Sequence, residues 1–139
     1  MSYPLGLGAR SEFSKTISES DVYLFAGITG DLAPVHVNEE FMRSSPYGQR
    51  IVHGVLIMGL MSTTVTRILE KAEPSDRVGV SLGFDGARFV KPVFIGDTVT
   101  VQYEVSEIDE SKNRSLARVE AFNQSRELVC KATHIMKWV

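Results

Sequence analysis

The chain is poor in the residue types that build the most easily recognised sites. Cys130 is its only cysteine, which excludes an intrachain disulfide framework and a cysteine-based metal centre, and fits a reducing compartment. Charge of one sign is not in excess: 15 Lys and Arg stand against 17 Asp and Glu, a formal net charge of −2. No basic block or basic helix face stands out, which argues against a nucleic-acid partner. The longest apolar run, Val55 to Met61 interrupted by Gly59, falls far short of the roughly 20 residues that span a bilayer. Met1 to Arg10 lacks the charged-then-apolar pattern of a secretory leader. A soluble, cytoplasmic protein with no membrane partner is the expectation. No Gly-rich phosphate loop, no metal-ligand spacing and no Ser-His-Asp order for acyl transfer is present. The remaining composition is ordinary, 43% hydrophobic and 23% charged over 139 residues, and predicts one domain, residues 1–139, with a core of its own.

Local patterns predict the elements. Ser11 to Ile17 alternates, with Phe13, Lys15 and Ile17 on one side, and reads as a strand. Ser18 with Asp21 three residues later forms a helix-start pattern, and Val22, Leu24, Phe25 and Ile28 give a short amphipathic helix that Gly30 ends. An irregular loop from Asp31 to His36 is expected next, then a brief helix capped by Asn38 that stops at Ser45-Pro46-Tyr47-Gly48. A helix from His53 to about Ala72 follows. Its first half is apolar on every side, so it must be wrapped all round, and a single curved sheet is the economical cover. After Glu73-Pro74-Ser75-Asp76 the chain reads as strands: Val78–Val90 with bulges at Gly83 and Gly86, Thr98–Val105, Ser115–Phe122 and Glu127–Trp138. Turns at Glu110–Asn113 and Asn123–Ser125 imply consecutive hairpins and an antiparallel meander, hence an α+β fold.

The chemistry concentrates in two stretches. Gly30-Asp31-Leu32-Ala33-Pro34-Val35-His36 puts a carboxylate and an imidazole five positions apart on a bend, since Pro34 pushes Ala33 out of the helical region. Ile51-Val52-His53-Gly54 leads into the apolar helix, whose first N–H groups have no intrahelical partner. An acid, a base and oriented donors suffice for adding or removing water next to a carbonyl. Other residues carry two readings each. His53 is a site residue or shapes the helix start. Gly54 leaves room for a carbonyl or for close packing. Ser62 faces a site or bonds back to its own helix. Arg88 and Lys91 meet phosphates or solvent. His134 and Cys130, on one face of the last strand, read as packed structure.

One buried helix wrapped by a long antiparallel sheet resembles the hot-dog fold. Thr29-Gly30-Asp31-Leu32-Ala33-Pro34-Val35-His36, Arg50-Ile51-Val52-His53-Gly54 and Lys91-Pro92-Val93-Phe94-Ile95-Gly96-Asp97 resemble the motifs of the MaoC-like, (R)-specific enoyl-CoA hydratases. The resemblance implies that Asp31 and His36 activate the water that adds across a trans-2-enoyl thioester. It implies that Ser62 supports the aspartate, that a backbone N–H near Gly54 binds the thioester oxygen, and that the protein forms a homodimer with joined sheets. It implies a coenzyme A or acyl carrier protein thioester as substrate, with no separate cofactor and no metal. Two positions depart from the family pattern: Ala33 stands where Asn is usual and Met42 where a small residue is usual. Which of Asp31 and His36 is the acid stays open, as do a hot-dog thioesterase and a non-catalytic acyl-binding subunit of a heterodimeric dehydratase. Met42, Met58 and Phe84 are the expected wall residues for acyl length.

Overall fold

A computed structural model describes residues 3–139. The elements run β1 (Arg10–Thr16), α1 (Glu19–Thr29), α2 (Pro34–Val37), α3 (Glu39–Arg43), α4 (Gly54–Leu69), β2 (Gly79–Phe89), β3 (Thr98–Asp109), β4 (Arg114–Phe122) and β5 (Leu128–Trp138). One antiparallel sheet orders them β1-β3-β4-β5-β2. Its inner face is the alternating set predicted for β3: Val99, Val101, Tyr103 and Val105 are all at most 1% exposed. Opposite them, α4 buries Ile57, Leu60, Met61, Thr64, Val65 and Ile68, the spacing of one helix face. Two of the polar side chains this packing buries find partners in the helix. Ser11 of β1 donates to the Thr64 carbonyl (2.7 Å) and the Thr64 hydroxyl donates to the Met61 carbonyl (2.6 Å). Among the described residues no helix is long and apolar enough to cross a membrane.

Several expectations are corrected. The central helix is covered on one side, not all round: Val55, Gly59, Ser62 and Thr66 form an exposed stripe opposite the buried face. Its regular part also ends at Leu69, where i→i+3 bonding takes over through Lys71 and Ala72. In α1 only Val22 and Ala26 are buried, while Leu24 and Ile28 are 64% and 82% exposed. The meander holds for β3-β4-β5 alone. β2 crosses to the far edge beside β5, and the segment after it returns the chain to β3. The bulges in β2 fall where the glycines predict, with register shifts at Ser81/Gly83 and Asp85/Arg88 and positive φ at Gly83 and Gly86.

The segment that carries the site is built by caps. The reciprocal Ser18–Asp21 box starts α1, and Gly30 ends it in the left-handed region (φ 79°), turning the chain so that Asp31 leaves the helix. The stretch after it is less irregular than expected, because Pro34 sits in the first turn of α2 and His36 rides on that turn. Asn38 ends α2 and caps α3, accepting from the Phe41 N–H at 2.9 Å. Arg50 then ties the unit together. Its guanidinium donates to Glu39 (2.6 Å), Glu19 (2.6 Å) and the Tyr23 hydroxyl (2.5 Å), joining α3 and α1 to the chain just ahead of α4. Only 11% of its side chain is exposed, and the Glu19 carboxylate first, then Glu39, hold its pKa above the ordinary value.

Candidate active site

Where α2, the start of α4 and the end of β2 meet, a cavity of about 550 Å3 opens. Asp31, His36, His53 and Gly54 line it, with Lys91 at its rim. Gly30 and the first turn of α2 bring Asp31 and His36 to the same space from one short segment. The main-chain N–H of Ala33 points to Asp31 Oδ1 at 3.4 Å, a long contact. The backbone of position 33 thus touches the carboxylate even though the amide side chain usual there is missing.

Hydrogen bonding fixes how His36 presents itself. Its Nδ1 lies 2.7 Å from the Ile51 carbonyl oxygen. That oxygen only accepts, so Nδ1 carries a proton, and in the neutral ring Nε2 is left with the lone pair. Beneath it, the His53 ring is stacked at a centroid distance of 3.8 Å and an angle of 26°. His53 precedes α4 as its N-cap residue but makes no side-chain cap bond. The Gly54 and Val55 N–H groups are therefore left without a capping partner, in the cavity that Asp31 and His36 line. Gly54 also shows the packing reading of its missing side chain. A Cβ there would stand 2.7 Å from the Phe89 ring.

Asp31, His36 and His53 bring donor atoms within 4.8 Å of one another, yet they make a poor metal cradle. Imidazole lone pairs lie in the ring plane, and two rings stacked nearly parallel do not aim them at one point about 2.1 Å from each. The remaining walls are apolar: Val35, Ile57, Val93, Val129 and Cys130. Burial raises the Cys130 thiol to about 11, so it serves here as a hydrophobic wall residue.

Other expected site residues lie elsewhere. Ser62 stands outside the cavity on the exposed stripe of α4. Arg88 is also outside it, donating to the neighbouring Ala87 carbonyl. Lys91, by contrast, lines the cavity, where it is ion-paired with Glu127. None of Met42, Met58 and Phe84 lines the cavity, and Met42 is 1% exposed in the packing of α3. Phe89 and Tyr47, which no local motif marks as wall residues, line the cavity while staying 56% and 49% exposed. Only the adjacency of Phe89 to Lys91-Pro92 could have marked it.

The sequence model of the family described as "MaoC like domain" matches residues 4–125. The chain belongs to this family. A curated member, the (R)-specific enoyl-CoA hydratase of Rhodospirillum rubrum, is 41% identical over 100 residues. That match covers 71% of this chain and 65% of the relative, so it spans just under two thirds of the relative's length. Among solved structures, the (R)-hydratase from A. caviae involved in PHA biosynthesis superimposes with a TM-score of 0.86 at 28% identity, covering 98% of both chains. The R-hydratase PhaJ1 from Pseudomonas aeruginosa gives 0.82 at 31% identity, covering 95% of this chain and 81% of its own. The sheet and helix of this MaoC-like chain are those of the hot-dog hydratases.

Proposed function

We propose that this MaoC-like protein is an (R)-specific enoyl-CoA hydratase that runs reversibly as a 3-hydroxyacyl thioester dehydratase. The observation that carries the reading is the meeting of Asp31 with the free Nε2 lone pair of His36 in one cavity, beside the uncapped start of α4. A water held between carboxylate and imidazole loses a proton to His36 Nε2 as its oxygen bonds to C3 of the enoyl group. The electron pair of the double bond moves onto the thioester oxygen, where the main-chain N–H of Gly54 stabilises it. Collapse of that enolate takes a proton at C2 from the pair, giving the 3-hydroxyacyl thioester. The reaction needs no bound organic cofactor. The (R) configuration rests on the relatives named above.

The apolar walls suit the acyl group and Lys91 at the rim suits a phosphate of the thioester carrier. Cytoplasmic action belongs to the same reading, as the compartment of such thioesters. So does a homodimer. β2 is an edge strand with Val80 and Leu82 exposed, a surface suited to pairing with its own copy. Crotonyl-CoA tests the activity. Loss of enoyl absorbance with formation of (R)-3-hydroxybutyryl-CoA is the expected result. Release of free thiol without hydration would move the protein to the thioesterases, and a purely (S) product would refute the stereochemical assignment.

A further inference from the structure

We propose that His53 is a positioning residue that sets the relative placement of Asp31 and His36; the proposal rests on the hydratase reading of that pair. His53 is 2% exposed, and its ring touches both members. Nε2 lies 3.0 Å from the Asp31 carbonyl oxygen. A carbonyl only accepts, so Nε2–H donates, and this tautomer leaves Nδ1 as a bare lone pair. The ring face carries His36 at 3.8 Å, and Phe25 packs against the same ring at 4.7 Å. One rigid side chain thus holds the main chain of the carboxylate by an edge and the imidazole by a face.

The helix gains little from this choice. His53 occupies the N-cap of α4 and gives it no cap bond, where Ser or Asp would. Its Nδ1 is buried without a hydrogen-bond partner among the described residues, which is a cost to the fold. A metal does not explain the ring, because the stacked planes do not converge. What the ring provides is distance control. Asp31 leaves the end of α1 and His36 rides the single turn of α2, so the two members of the pair sit on different elements that the His53 ring spans.

Two substitutions separate the donor from the fold. The side-chain amide introduced by His53→Gln reaches about as far as Nε2 and can still donate to the Asp31 carbonyl. His53→Asn is too short to do so. With crotonyl-CoA, His53→Asn is expected to lose roughly 100-fold in kcat with KM within about threefold. His53→Gln recovers most of that loss, while urea midpoints of the two variants agree. Equal kcat losses in both variants, or an Asn variant within about twofold of wild type, would overturn the proposal. An activity-independent arm uses 15N correlation spectra of the three histidines, assigned by single substitution. His53 is expected as the neutral Nε2–H tautomer and His36 as the Nδ1–H tautomer, whereas a protonated Nδ1 on His53 would overturn the proposal. Inactivity of the wild type would count against the hydratase reading alone, since the tautomer of His53 is read without turnover.

Discussion

Acid should destabilise this protein through a residue outside the cavity. His134 on β5 is fully buried, with Nδ1 2.9 Å from the Tyr103 hydroxyl and Nε2 2.8 Å from Ser81 Oγ. Phe84 packs on it at 4.9 Å. Burial lowers its pKa from 6.5 to about 4, because an imidazolium there would lose its hydration. The unfolded chain takes up a proton near 6.5 and the folded one does not until about 4. Stability is therefore complete above pH 6.5 and falls as pH drops toward 4. At about 1.4 kcal/mol per pH unit, the loss from this residue by pH 4.5 is about 2.5 kcal/mol. Both hydroxyls could accept from an imidazolium, so this is an upper value. Urea unfolding at pH 7.5 and 4.5, on wild type and on His134→Gln, isolates this contribution, since carboxylates titrate alike in both proteins. The wild type should lose about 1–2.5 kcal/mol more than the variant between the two pH values. Equal losses would refute the argument.

Arg50→Met removes three hydrogen bonds and leaves Glu19 and Glu39 without their cation. Urea denaturation should show a loss of about 2 kcal/mol, and crotonyl-CoA turnover should fall with it, because α1 and α3 flank the Asp31–His36 segment. Among the described residues, and beyond its two chain neighbours, the Cβ of Gly30→Ala meets no atom within 4 Å; its cost is the left-handed backbone alone, about 1 kcal/mol in thermal or urea unfolding. Cys130 should resist a thiol reagent at pH 8 in the folded protein and react completely in denaturant, given its burial and raised pKa. Rapid reaction of the native thiol would contradict its place in the wall.

What was legible in the sequence is what short-range rules control. The Ser18–Asp21 box, the Gly30 and Asn38 caps, the alternation of β3 and the glycine bulges of β2 each depend on neighbours within a few positions. Periodicity also shows which residues share a face, but not whether another element arrives to cover it. Leu24 and Ile28 therefore read as core and stand exposed. The same limit applied to α4, whose apolar composition suggested complete wrapping while Val55 is 59% exposed. Strand order is a long-range property, and nothing local in Gly79–Phe89 told that β2 would pair with β5.

The site divides in the same way. Asp31 and His36 share one short segment, so a local motif was enough to join them. The cavity walls come from segments far apart in the chain, and the three residues expected there, Met42, Met58 and Phe84, are absent from it. Arg50 makes its contacts across 11 to 31 positions, a separation at which a lone arginine gives no signal. The hold of His53 on Asp31 spans 22 positions and was visible only as a choice between site and helix start.

The central claim is that Asp31 and His36 together handle the proton and the water. The most direct measurement is crotonyl-CoA hydration by wild type, Asp31→Asn and His36→Gln at matched, folded concentration. Asp31 is exposed and His36 half-buried, so both variants should keep the wild-type stability in urea to within about 1 kcal/mol. The account predicts steady hydration by the wild type and a fall of at least about 100-fold in kcat for each variant. A folded variant of either kind that hydrates crotonyl-CoA at the wild-type rate would contradict it.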